Sequence, residues 1–236
     1  MKSITHERFE IAVHGYKHDD FSALDIGRLK EDISKAKETF EGYGFRPIGY
    51  RSPYLRPKDD LARLLSECGF AYSSSKTAIS NRSGTSNRVI LEKSDKIASE
   101  IYGPPVSDMK SISANPENGV LEIPVSLPDD EILIDRMGID DQSKLESILT
   151  DIIGTSLRFN SFVVIQIHPE RYSIFRNAML STADRIMREE EVHFITLGEL
   201  SRGFRSPGPS SPASGKGKSV CITGDLDIMS LRDLLR

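Results

Sequence analysis

The stretch FVVIQIHPE (162–170) decides the fold. Its apolar run is too continuous for a strand with one wet face, and it suits a strand covered on both faces of a parallel sheet. The run ends in a histidine, His168. Helical spacing flanks it on both sides. Leu145, Ile148, Leu149, Ile152 and Ile153 predict a helix over 140–158, a second is expected over about 173–190, and VHFITL (192–197) reads as the strand that follows.

The same alternation extends towards the N-terminus. VLEIPVSL (120–127) is strand-like, as are FAYSSS (70–75) and the start of PIGYRSPY (47–54). Between the last two lies a helix from Asp59 to Cys68, with Leu61, Leu64 and Leu65 inward and Gly69 just past its end. An earlier helix, capped by Ser22 or Asp25, carries Ile26, Leu29, Ile33, Ala36 and Phe40 on one face and stops at Gly42 and Gly44. RFEIAVH (8–14) reads as a short buried strand ending in His14. Residues 76–119, rich in Ser, Asn, Gly and Pro, are expected to be irregular, with short strands near VILE and IYG. Strand–helix alternation predicts an α/β fold whose parallel sheet closes, or nearly closes, into a β/α barrel. Functional side chains then belong at the C-terminal strand ends, where His14, His18 and His168 fall.

Composition narrows the function. At 236 residues the chain fits one domain with a sizeable core, or one domain with a short appendage. A net charge of −4 calls for neither nucleic acid nor an acidic membrane surface. No apolar stretch is long enough to span a bilayer. MKSITHERFE lacks the apolar core of a signal peptide, so a cytoplasmic location is expected. Cys68 and Cys221 are too few for a disulfide framework or a thiolate zinc site. Tryptophan is absent, which leaves the seven tyrosines as the rings for any sugar platform.

Three segments are expected: a body over 1–205, a flexible linker SPGPSSPASGKGKS (206–219), and a strand with the start of a helix over 220–236. So short a strand must pair with the body or with a partner. The linker is long enough to donate it to a second copy, giving a homodimer with exchanged C-terminal strands.

Four groups of residues carry the chemistry. His14-Gly-Tyr-Lys-His18 sets two imidazoles four positions apart after a strand, where a helical turn lets both grip one metal ion; the alternative is one core and one surface histidine. Asp225 and Asp227 follow the C-terminal strand, and one can bind metal while the other acts as general base; a polar turn is equally compatible. Two histidines and one carboxylate leave a metal with open positions, the arrangement of a catalytic site. His168 reads as a general acid or as a satisfied core histidine. Arg51 can orient a carboxylate through its planar fork. Asp129 and Asp130 in SLPDDE read as a solvated loop, and His6 and His193 as structural.

Together these stretches resemble the polysaccharide deacetylase (NodB-homology, carbohydrate esterase four) family. HGYKH (14–18) resembles its H-S/T-x-x-H metal motif, with Gly15 where Ser or Thr is usual. YRSPY (50–54) resembles its R-x-P-Y/F motif, and GFAYSSS (69–75) the stretch that follows. EIPVSLPDDE (122–131) stands where the family's variable fourth motif lies. VVIQIHPE (163–170) resembles the fifth, and FITLGEL (194–200) the closing strand. The family's first motif, T-F-D-D, is absent near the N-terminus, and its likeness appears instead as ITGDLD (222–227). The resemblance therefore implies a distorted barrel of NodB type, circularly permuted or incomplete, with its first-motif strand at the C-terminus. Part of the barrel between the first two motifs is expected to be missing or lent by another chain.

It also implies roles. Asp225 is the base, braced by Arg51; His14, His18 and Asp227 hold the metal; the Tyr54 main-chain N–H belongs to the oxyanion site; His168 is the acid. Zinc is the first choice, with cobalt, nickel or manganese as alternatives. The implied reaction removes N-acetyl groups from an amino sugar or glycan. A cyclic amide or imide hydrolase of the same fold, and an inactive carbohydrate-binding module, are the alternatives.

Overall fold

In a computed structural model of the chain, the structure describes residues 9–107, 116–188, 192–206 and 217–225. Strands and helices alternate: α1 (Ile26–Gly42), β1 (Gly49–Tyr50), α2 (Leu61–Glu67), β2 (Tyr72–Ser73), β3 (Thr77–Ala78), α3 (Arg88–Tyr102), β4 (Leu121–Glu122) and β5 (Val125–Ser126). After them come α4 (Gln142–Phe159), β6 (Phe162–Ile167), α5 (Tyr172–Ile186), β7 (Val192–Phe194), α6 (Leu197–Arg205) and β8 (Lys218–Gly224). Every pairing between these strands is parallel.

The pairings form three ladders, β1-β2-β4, β3-β5 and β6-β8-β7, and among the described residues no hydrogen-bonded ring closes them. Further contacts extend the ladders and join them. Val13 bridges Tyr50 in parallel, and the Val164 N–H donates to Ser126 Oγ (3.1 Å), tying β6 to β5. Tyr72, Leu121, Ile123, Val125, Phe162, Val164 and Cys221, drawn from all three ladders, share one buried cluster with Leu200 of α6. The strands thus wrap a common interior.

Two outer layers cover them. Val163, Ile165 and Val220 pack under Leu145, Ile148, Leu149 and Ile152 of α4 and Phe175 of α5. Val13 and Tyr50 pack under Leu29 and Ile33 of α1 and Leu61, Leu64 and Leu65 of α2. Successive residues of β6 therefore point alternately into the interior and under the helices, both apolar, which explains the unbroken run. Each such buried side chain contributes roughly 1.5–3 kcal/mol relative to an exposed one.

Local chemistry sets the ends. Asp25 and Asp141 cap α1 and α4 by accepting from Arg28 N and Lys144 N, and Thr196 with Glu199 closes a capping box on α6. That box explains why β7 stops at Phe194 rather than running to 197. VLEIPVSL splits into β4 and β5 around Pro124, which has no N–H to donate. Ser22 does not cap α1; its N–H and hydroxyl both donate to Asp20.

The largest departure from expectation is α3. Where short strands near VILE and IYG were expected, one helix runs from Arg88 to Tyr102. Its buried face is Leu91, Ser94, Ala98 and Tyr102, while Val89 is 80% exposed. Two of those inward positions are small or polar and one apolar residue faces out, so the helical period is hidden from a reading of hydrophobicity. In addition, β8 begins at Lys218, within the stretch read as linker, and lies between β6 and β7 of its own chain.

Candidate active site

The strand ends gather the polar residues. His14 follows the Val13 bridge, and the next residue, Gly15, has φ +84°; a Cβ there would meet the Lys17 carbonyl oxygen at 2.7 Å. Asp32 of α1 pins the turn, its two oxygens accepting from Tyr16 N (2.7 Å) and Lys17 N (3.0 Å). Burial pushes the Asp32 carboxyl up, against the pull of those two bonds. The turn brings the His14 and His18 rings to 5.2 Å, edge to face, and sets His18 4.6 Å from the Tyr54 ring. His14 Nδ1 lies 3.0 Å from the Arg51 carbonyl oxygen. A carbonyl only accepts, so Nδ1 carries a hydrogen.

Arg51 is 5% exposed and uses its whole fork. Nε and Nη2 donate to the Ser74 carbonyl and hydroxyl, both at 2.9 Å. Nη1 donates to Thr223 Oγ1 (2.9 Å) and to Asp225 Oδ1 (2.7 Å). Asp225, 7% exposed at the end of β8, accepts at Oδ2 from Gln166 Nε2 (3.0 Å). The same oxygen stands 3.8 Å from His14 Nε2, too far for a hydrogen bond.

A second centre faces this one. His168, 4% exposed, donates its backbone N–H to Asp130 Oδ2 (2.6 Å) and sets Nδ1 2.7 Å from Asp130 Oδ1. Burial alone would push the imidazole down. The Asp130 bond and charge, with Asp225 and Asp129 beyond, outweigh it and lift the pKa to about 9. Gln166 Nε2 also lies 3.2 Å from His168 Nε2, a contact only the neutral ring accepts, so Gln166 works against Asp130.

Of the residues singled out from the sequence, His14, His18, Arg51, His168 and Asp225 therefore stand at the C-terminal strand ends. Tyr54 occupies a 3₁₀ turn (Pro53–Leu55) with φ 58°, its N–H among those a helix start leaves without an intrahelical acceptor. Asp227 and His6 lie outside the described residues, and His193 is exposed. Asp129 and Asp130 correct the sequence reading. Instead of a solvated loop they are 2% and 0% exposed, with Asp130 on His168. Their place just after β5 was the available signal. Gln166, Thr223 and Ser74 were missed. Gln166 is the one polar residue in the β6 run, two positions from His168 and so on its face.

Among the described residues, no three metal-binding side chains converge closely enough to hold an ion by themselves. The arrangement can nonetheless take a proton from water at a braced carboxylate and deliver one from a carboxylate-backed imidazole, the two halves of an amide hydrolysis.

Residues 1–73 match the polysaccharide deacetylase family model. A peptidoglycan deacetylase-like protein of Gibberella zeae is 37% identical over 75 residues, 31% of this chain and 22% of that protein. The matched segment, the first third of the chain, is similar to polysaccharide deacetylases and holds His14, His18, Arg51 and Tyr54. The chain spans about a fifth of the length of that relative.

Proposed function

We propose that the chain is a metal-dependent deacetylase that hydrolyses N-acetyl groups on an amino sugar of a glycan. The observation that carries this reading is the Arg51–Asp225 pair at 2.7 Å. It joins the family-matched segment to a strand far along the chain, and sets a braced carboxylate beside the histidine pair.

We further read the fold as a distorted barrel in which β8, next to β6 and β7, fills the family's first-strand position from the C-terminal end. The shared interior cluster supports a barrel, and the contacts of Arg51 and Gln166 with Asp225 support a circular permutation. Permutation is tolerated where chain ends meet at a surface.

His14 and His18, with Asp227 as the third ligand, are the residues that would hold a divalent cation. The donor set fits: the Arg51 carbonyl orients the His14 ring through Nδ1, as such partners do for metal-bound histidines, and leaves Nε2 facing the site 3.8 Å from the Asp225 carboxylate. Two imidazoles and a carboxylate suit zinc, and also admit cobalt, nickel or manganese. When bound, the cation would polarise the acetyl carbonyl and ease deprotonation of the attacking water.

The chain's own residues do the rest. Asp225 takes the proton of the water, with Arg51 holding one carboxylate oxygen and Gln166 the other. The Tyr54 N–H donates to the oxygen of the acetyl carbonyl as negative charge develops there. His168 gives a proton to the departing amine, and Asp130 keeps the ring oriented with its charge favoured. The products are acetate and a free amino sugar.

A substrate panel tests the reading: acetate release from N-acetylglucosamine oligomers and from peptidoglycan, against ring opening of cyclic imides, each with zinc supplied. Acetate release from either glycan is expected. Turnover of imides alone would move the assignment to the cyclic amidohydrolases that share the fold, and turnover of none would discard it.

A further inference from the structure

The turn that carries Asp130 is held from outside the reaction centre, at two points, by groups anchored on one helix. Tyr102, the last residue of α3, donates its hydroxyl to Asp129 Oδ2 at 2.7 Å, with Glu131 further off at 3.5 Å. The other oxygen of Asp129 accepts from Ile132 N (3.0 Å), so each oxygen of this buried carboxylate has a donor. Seven residues earlier on α3, Asp95 grips Arg82 through two bonds, at 3.0 and 2.7 Å. Arg82 in turn donates from Nη2 to the Leu127 carbonyl (2.8 Å). Leu127 and Asp129 bracket the approach to Asp130.

Nothing in the proposed reaction calls for either contact. Burying an arginine and a second aspartate on the segment that leads to Asp130 is costly unless the groups serve a purpose, because each removes a charge from water. Arg82 is 7% exposed, and its Nη1 has no hydrogen-bond partner. Burial also pushes the Asp129 carboxyl up to about 6, against the bonds from Ile132 and Tyr102. Such cost persists where the surrounding structure over-determines a geometry that function needs.

We propose that α3 is a splint for the proton-donating pair: Tyr102 through Asp129, and Arg82 through the Leu127 carbonyl, are positioning residues that hold the Asp130 carboxylate on His168. The proposal rests on reading His168 as the acid. It goes beyond that reading by assigning a role to α3, which lies outside the segment matched to the family. Loss of the Tyr102 hydroxyl leaves Asp129 without one of its two donors and lets the turn relax. The imidazole–carboxylate bond then lengthens, while the rest of the site keeps its contacts.

The test compares the full chain with Tyr102→Phe, Asp129→Asn and Arg88→Ala, the last removing an exposed pair with Glu92 on the same helix. The first readout is the proton resonance of His168 Nδ1–H, assigned by its loss in His168→Gln. A short bond to a carboxylate holds it far downfield. It is expected to move upfield and broaden in Tyr102→Phe and in Asp129→Asn, and to stay in place in Arg88→Ala. The second readout is the kinetic split: kcat for acetate release should fall about tenfold in Tyr102→Phe with KM little changed. An unmoved resonance in Tyr102→Phe and Asp129→Asn overturns the splint. The resonance decides this whether or not the wild type releases acetate, so failure of the deacetylase reading and failure of the splint are told apart.

Discussion

At the scale of single residues, Arg51 and Asp225 form a buried ion pair at 2.7 Å. Their side chains are 6% and 8% exposed, so neither charge is solvated if its partner is lost. Breaking such a pair costs about 3–5 kcal/mol, whereas replacing both members by apolar groups costs much less. Arg51→Met is therefore expected to lower stability by about that amount in denaturant titration, and Arg51→Met with Asp225→Leu by clearly less than the sum of the single changes. Additive effects would mean that the pair is not coupled. His168 gives a pH signature. Its folded pKa of about 9 exceeds the ordinary 6.5, so its contribution is fully present below pH 6.5 and is lost as pH rises through 9. In the metal-free chain, stability should decline over that window by up to about 3 kcal/mol more than in His168→Gln. Parallel pH profiles would contradict the charged ring. The place of His168 was legible from sequence because it ends an apolar run, and that of Arg51 because YRSPY sets a planar fork beside a proline turn. Asp130 was not, because an acidic pair after a proline reads the same whether water or an imidazole faces it.

At the scale of elements, short turns do the positioning. Asp32 reaches from α1 to the HGYKH turn and accepts two of its backbone N–H groups. Without that carboxylate the His14 and His18 rings lose their fixed approach. Asp32→Ala is expected to weaken zinc binding by about 10–100-fold, the usual effect of removing a group that orients ligands, in competition with a chromophoric chelator. Unchanged affinity would show that the turn at Gly15 suffices without it. Helices with a strong apolar stripe were readable. For α4, each of Leu145, Ile148, Leu149, Ile152 and Ile153 is buried as its spacing foretold. Helix α3 was hidden because Ser94 and Ala98 sit on its inner face, so packing against neighbours, not hydrophobic period, decides it. Strands β1, β2, β4 and β5 fall within stretches read as strands, whereas β3 (Thr77–Ala78), in the stretch expected to be irregular, is too short for any alternation to mark.

At the scale of the whole molecule, the notable feature is the distance in sequence over which the site is assembled. The histidine pair and Arg51 come from the first third of the chain, His168 from β6, and Asp225 from the end of β8. The alternation of strand and helix foretold that these would meet, because a parallel sheet gathers its C-terminal ends on one side. What it left open was the order of strands, which depends on long-range pairing: β8 enters between β6 and β7, joined to β6 from Phe162 to Ile167. Asp225 and His168, the proposed base and acid, therefore stand at the ends of neighbouring strands, with Gln166 between them.

The most direct measurement is the rate of acetate release from N-acetylglucosamine oligomers by the zinc-supplied full chain and by Asp225→Asn, which keeps shape and removes the base. Turnover by the wild type with a fall of at least about 100-fold in kcat for the variant is expected if Asp225 takes the proton. Equal rates in the two proteins would remove β8 from the chemistry and contradict the account.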